Sequence, residues 1–208
     1  MKHLIQVAAA LLLLINLPAF AAGDANAGQG KSAICAACHG VDGNSAVPNW
    51  PKLAGQHAPY LERQLGLIKG GERAVPEMIG IVAGLSDQDM ADVSAYFSTQ
   101  TIKAGLADDA TRIMGERLYR SGNAATDVPA CMACHGPAGG GNPLAVYPSL
   151  AGQHSTYTEK MLKGFRSGTT WGADDESSKI MTDVAFRLTD DEIKAVSAYI
   201  QGLHAVGE

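Results

Sequence analysis

The chain has 208 residues, with 16 Lys and Arg against 21 Asp and Glu, for a formal charge of −5. That balance argues against nucleic acid or an anionic lipid surface as a partner, and it suits either plain solubility or an acidic face that docks a basic protein. The length allows one domain of ordinary size or two small ones.

At the N-terminus, Met1-Lys2-His3 leads into an apolar run from Leu4 to Leu17 and then Pro18-Ala19-Phe20-Ala21-Ala22, the three-part form of a secretory signal peptide. Ala19 and Ala21 fit the small-x-small rule, so cleavage is predicted after Ala21, with residues 1–21 as the leader. The apolar run is shorter than the roughly 20 residues a spanning helix needs. Without Lys2 the mature chain holds 15 basic and 21 acidic residues, a charge of −6.

A first helix is expected to lead into Cys35-Ala36-Ala37-Cys38-His39. This spacing is the signature of covalent c-type haem attachment. Two thiols add across the two vinyl groups of one porphyrin, and the adjacent imidazole turns under the ring to meet the iron. Trp50-Pro51-Lys52-Leu53-Ala54-Gly55-Gln56-His57 follows, then a helix from about Pro59 to Ile68. Met78, with Pro76 just ahead of it, is expected in a loop before the last helix, as is Met181 in the second half. Ser86 is the predicted N-cap of a last helix that turns Met90, Val93, Tyr96 and Phe97 inward at helical spacing. Thr101 to Asp108 carries no motif and is the expected linker between domains at 22–100 and 109–208.

The second domain repeats the first. Cys131-Met132-Ala133-Cys134-His135 stands 96 residues after the first motif, Tyr147-Pro148-Ser149-Leu150-Ala151-Gly152-Gln153-His154 stands 97 after its counterpart, and Leu188-Thr189-Asp190 stands 103 after Leu85-Ser86-Asp87. A repeat in which each copy holds one motif implies two attached haems. The unequal offsets place length changes in loops: Ser121 to Pro129 before the motif, and before the last helix a loop that is six residues longer and contains Trp171 to Ser178. In that helix Glu192 stands three residues after Thr189 and predicts a capping box. No segment shows sustained strand alternation, so the fold is expected to be all-α.

His39 and His135 are the expected proximal iron ligands. On the far face the repeat selects Met78 and Met181, each 7 residues ahead of the aligned Leu85 or Leu188. Met90 aligns with Ile193, Met161 with Gln64, and Met132 lies between attached cysteines. His57 and His154 follow their motifs too closely for ligands and suit a surface or supporting role. Pro51 and Pro148 follow the histidines by 12 and 13 residues, where a carbonyl could accept the Nδ1 proton, or they are ordinary loop prolines. Lys69, Arg166 and Arg73 could pair with propionates or sit as solvated cations at helix ends. Trp50, Tyr147, Tyr60 and Tyr157 could pack on a porphyrin or bond its propionates. One four-thiolate zinc site would leave both histidines and the repeat without a purpose, and two disulfides would leave the histidines idle.

With two attachment motifs, two Leu-Ala-Gly-Gln-His segments, two aligned methionines and the opening Gly23-Asp24-Ala25-Asn26-Ala27-Gly28, the mature chain resembles the cytochrome c4 family of dihaem periplasmic cytochromes. The resemblance implies two tandem class I cytochrome c domains about a pseudo-twofold axis, with propionates near the interface. By position it implies Cys35, Cys38, Cys131 and Cys134 as the attachment points of two haem c groups, with His39 and Met78 on one iron and His135 and Met181 on the other. It also implies single-electron transfer between a respiratory reductase and terminal oxidases in the periplasm, by a monomer that in some members associates peripherally with the membrane. The competing expectation is a dihaem redox enzyme, a peroxidase or thiosulfate-oxidising cytochrome, which needs an iron that can be opened to substrate.

Overall fold

A computed structural model describes residues 22–107 and 109–204; the expected leader, residues 1–21, lies outside them. One helical plan occurs twice. The first copy contains α1 (Ala25–Lys31), α2 (Ala33–His39), α3 (Ala58–Gly70), α4 (Pro76–Val82) and α5 (Asp87–Ser98). The second contains α6 (Asp109–Ser121), α7 (Met132–His135), α8 (Ser155–Arg166), α9 (Glu176–Ala185) and α10 (Asp190–Gly202). Among the described residues β-structure is limited to two isolated bridges, Asn123 with Val128 and Asn142 with Tyr147. None of the described helices is long and apolar enough to cross a membrane.

In each copy the first and last helices cross at a glycine. A Cβ on Gly28 would lie 2.0 Å from the Asp92 carbonyl oxygen, and one on Gly115 would lie 2.2 Å from that of Ala195. The next contacts are the Cβ atoms of Tyr96 and Tyr199, so both crossings use repeat-equivalent residues. The last helices begin on capping boxes, Ser86 with Asp89 and Thr189 with Glu192. The second was expected from its Glu; the first shows that a shorter Asp closes the same box. Along α10, Ile193, Val196, Tyr199 and Ile200 are all buried, and along α5 Met90, Val93 and Phe97 are buried while Tyr96 is half-buried.

Between α6 and the second cysteine motif, the chain makes the extra loop that the offsets required. It begins at Gly122, after α6 ends, and is closed by the Asn123–Val128 bridge. Residues 101–107 connect the copies without a helix and are held by both sides. The Lys103 amide donates to Asn44 Oδ1 (2.8 Å), and the Gly105 amide donates to the Gln201 carbonyl (2.9 Å).

The copies are packed together. Leu67 on α3 joins the rim of the second core, whose centre includes Leu118, Tyr119, Phe165, Trp171 and Ile193. Arg73, just beyond α3, donates to Gln64 Oε1 (2.6 Å) and to the Tyr157 hydroxyl (2.9 Å), with its guanidinium 4.7 Å from the centre of the Trp171 ring. Arg63 pairs with Asp175. The longer loop of the second copy therefore folds against the first copy.

Candidate haem centres

His39 ends α2 and His135 ends α7, and both are buried. The Nδ1 of His39 lies 2.8 Å from the Pro51 carbonyl oxygen, and that of His135 lies 3.0 Å from the Pro148 oxygen. A carbonyl only accepts, so each Nδ1 carries the proton and each Nε2 keeps a free lone pair. Burial lowers both imidazole pKa values below the usual figure, while the carbonyl bond pulls the other way. Two neutral imidazoles with fixed tautomers are what metal-ligating histidines require. Of the two readings open for the prolines, the structure selects the carbonyl acceptor.

The loops that carry these carbonyls are built alike. Gly43 (φ 73°) and Gly139 (φ 74°) occupy the left-handed region. Their carbonyls accept from Leu53 and Leu150, each at 2.7 Å. A Cβ at Gly43 would meet the Ala54 nitrogen at 2.7 Å, so the turn that brings Pro51 under His39 admits no larger residue.

All four cysteines are unpaired. Cys35 and Cys38 lie three residues apart on α2, so they share one face of the helix. Burial pushes the Cys35 thiol up and the Cys131 thiol up to about 11. Among the described residues no three His, Cys, Asp or Glu side chains gather to hold a cation. The four-thiolate zinc alternative therefore has no support, whereas two cysteines one turn apart followed by a buried histidine, once in each copy, fit a covalently attached porphyrin.

Met78 and Met181 are both half-buried. The expectation that they sit on irregular backbone is corrected: Met78 is the third residue of α4 and Met181 the sixth of α9. Pro76 does not hold a loop open; it occupies the first helical position, where its fixed φ starts a helix. Helix α9 starts from Asp175, whose side chain accepts from the Ser178 amide at 2.9 Å. In the second copy Cys131 and Met181 border the same apolar core.

The two cations aligned at the ends of α3 and α8 have another task. Lys69 Nζ donates to the Leu85 carbonyl (2.6 Å) and Arg166 Nη1 donates to the Leu188 carbonyl (2.9 Å), in each case bracing the turn before the last helix.

His57 and His154 reach across the interface, each away from its own copy. His57 Nε2 donates to the Gly140 carbonyl (2.7 Å) and His154 Nε2 to the Ser45 carbonyl (2.9 Å). Beside them the glutamines of the repeated segment exchange places. Gln153 accepts from the Lys52 amide and donates to the Lys52 carbonyl, both at 2.9 Å. Gln56 accepts from the Ser149 amide and donates to the Ser149 carbonyl, also at 2.9 Å. Such reciprocity is what a pseudo-twofold axis produces. Sequence reading did not foresee these contacts, although two buried polar side chains kept in both copies were the available signal.

A family model described as cytochrome c matches residues 26–101 and 115–204. Cytochrome c4 of Pseudomonas aeruginosa is 51% identical over 196 residues, covering 93% of this chain and 96% of that protein. The crystal structure of reduced recombinant cytochrome c4 from Pseudomonas stutzeri matches with a TM-score of 0.84 at 51% identity, over 88% of this chain and 100% of that one. A more distant relative, the thiosulfate dehydrogenase electron acceptor of Stutzerimonas stutzeri, is 37% identical over 169 residues, 79% of this chain and 76% of that protein.

Proposed function

The chain belongs to the cytochrome c family as a tandem of two such domains, like the cytochrome c4 proteins, and from that premise we propose which side chains do its work. It is a dihaem electron carrier and not an enzyme. In our reading Cys35 and Cys38 hold one haem c and Cys131 and Cys134 the other, in domains at 22–100 and 109–208 joined by 101–108. His39 and Met78 would hold the first iron, and His135 and Met181 the second. The observation that carries the ligand reading is the matched pair of buried imidazoles, each with Nδ1 on a proline carbonyl and Nε2 left free.

A haem iron with both axial positions filled supplies a one-electron couple and offers no open position to a substrate. The thioethers of Met78 and Met181 favour the ferrous state and raise the potential relative to a second histidine. The Pro51 and Pro148 carbonyls orient the imidazoles and increase their basicity, which works in the opposite direction.

We place the protein in the periplasm, exported by a leader cut after Ala21, with a respiratory reductase as donor and a terminal oxidase as acceptor. An enzyme that oxidises thiosulfate is the second donor to try, because a 37% identical relative is the electron acceptor of thiosulfate dehydrogenase. Purified mature protein tests the core of this reading. Its mass should correspond to a chain starting at Ala22 with two haems. The oxidised spectrum should show the weak methionine-to-iron band at the red edge of the visible at two-haem intensity, and carbon monoxide should leave the reduced spectrum unchanged. Met181→Ala should remove half of that band, open only the second iron to carbon monoxide and lower its potential; an intact band in this variant would refute Met181 as a ligand.

A further inference from the structure

The peptide group between Pro51 and Lys52 is used at both ends. Its carbonyl accepts the Nδ1 proton of His39 (2.8 Å), while its N–H is donated to Gln153 Oε1 of the other domain (2.9 Å). The Pro148–Ser149 peptide repeats the pattern, with His135 Nδ1 at 3.0 Å on the carbonyl and Gln56 Oε1 at 2.9 Å from the amide. Each proximal imidazole is thus tied through a single peptide unit to a glutamine of the opposite domain.

We propose that Gln153 and Gln56 are positioning residues that tune the reduction potential of the haem in the domain opposite their own. The proposal rests on the reading of His39 and His135 as iron ligands.

The two bonds of each relay share one resonance system, because peptide C=O and N–H exchange electron density through the partial double bond between them. An acceptor on the N–H draws density toward the carbonyl oxygen, which then binds the imidazole proton more strongly. A more strongly held Nδ1 proton makes the imidazole a more basic ligand, and a basic ligand favours ferric iron and a lower potential. Water has little access to the same bonds, because Lys52, Gln56 and Gln153 are buried and Ser149 is half-buried. The second arm of each glutamine, from Nε2 to the next carbonyl, holds the amide in plane. The Gln56 and Gln153 oxygens also accept from the amides of His57 and His154 (3.0 Å each), so neither side chain is free to turn away. The bond crosses the interface, so the potential of each haem registers the docking of the other domain.

The test uses the full-length dihaem protein carrying Gln153→Met or Gln56→Met, which keep length and lose the acceptor. The readouts are the two haem potentials, resolved through the methyl resonances of each haem, and amide hydrogen exchange at Lys52 and Ser149. Gln153→Met should speed exchange at Lys52 and raise the potential of the first-domain haem, with little change at the second; Gln56→Met should do the reverse. Gln153→Glu, which keeps an acceptor and adds charge to it, should instead lower the first potential more than the second.

Faster exchange at Lys52 with both potentials unmoved would overturn the relay. Equal shifts at both haems from either methionine variant would also overturn it, by showing that the glutamines only hold the domains together. Hyperfine-shifted ring protons of His39 and His135 in the oxidised parent check ligation separately. If they are absent the ligand assignment falls and takes the relay with it; if they are present and the potentials stay put, only the relay falls.

Discussion

Asp92 gathers three donors on the first crossing: the Asp24 amide (2.9 Å), the Lys31 ammonium (2.7 Å) and the Gln88 amide group (2.8 Å). The Asp24 N–H foremost, then Lys31, holds its carboxyl down at about 2, against an ordinary value of 3.8. A carboxylate depressed in the folded state adds stability that is complete above its unfolded value and lost as pH falls through the folded one. Denaturant unfolding should therefore show the first domain weakening between about pH 4 and pH 2. Asp92→Asn should lose stability at neutral pH and flatten that slope; a variant with the parent's slope would mean that Asp92 is not the group responsible. The second crossing has Ala195 at this position, which carries no carboxylate. That asymmetry was not legible in the sequence, because Asp92 reads as one more polar residue on an amphipathic helix until Asp24 and Lys31 are folded over it. The two histidines stood out through their motifs, whereas Pro51 and Pro148 read equally as ordinary loop prolines until the fold brought each carbonyl to an imidazole Nδ1.

At the level of helices, the glycine crossings carry the geometry of each domain. A methyl at Gly115 would have to occupy space 2.2 Å from a backbone oxygen, and backbone within a packed helix cannot yield as a flexible side chain does. Gly115→Ala should therefore cost about 3 kcal/mol or more, at the upper end of the range for overpacking. Gly30→Ala on α1 faces open space and should not destabilise, since alanine is the better helix former there. Equal unfolding midpoints for the two variants would contradict the crossing argument. The last helices could be read from sequence because a cap and an apolar stripe are local signals. Helices α4 and α9 were harder. The proline ahead of Met78 serves equally as a loop residue and as the first residue of a helix, and a seven-residue helix has too few turns to show a stripe. Lys69 and Arg166 were ambiguous for a similar reason: their acceptors, the Leu85 and Leu188 carbonyls, are backbone groups with no sequence signature.

Across the whole molecule, the repeat told the reader that two similar domains exist but not how they face each other, because every interface contact joins residues from different copies. The docking surface consists of the paired glutamines and histidines near the axis and, to one side, Arg63 and Arg73 of the first domain against the longer loop of the second. Arg73 is central to that outer patch: it bonds Gln64 in its own domain and Tyr157 in the other, and it lies over Trp171. A desolvated cation over an indole contributes about 2 kcal/mol, and the charged hydrogen bond to Tyr157 adds about 1.5 kcal/mol. Both are lost in Arg73→Ala, and Arg73 itself belongs to the core of neither domain, although Trp171 lines the second. The expected consequence is therefore loss of coupling between the domains and not the unfolding of one: calorimetry of the parent should give a single cooperative transition, and the variant should give two, with the haem spectrum unchanged at room temperature. Arg73→Lys should not restore the single transition, because an ammonium cannot lie flat on the indole while also reaching Gln64 and Tyr157. A variant endotherm that superimposes on the parent would show that the patch near the axis, with its exchanged glutamines, couples the domains without help from the longer loop.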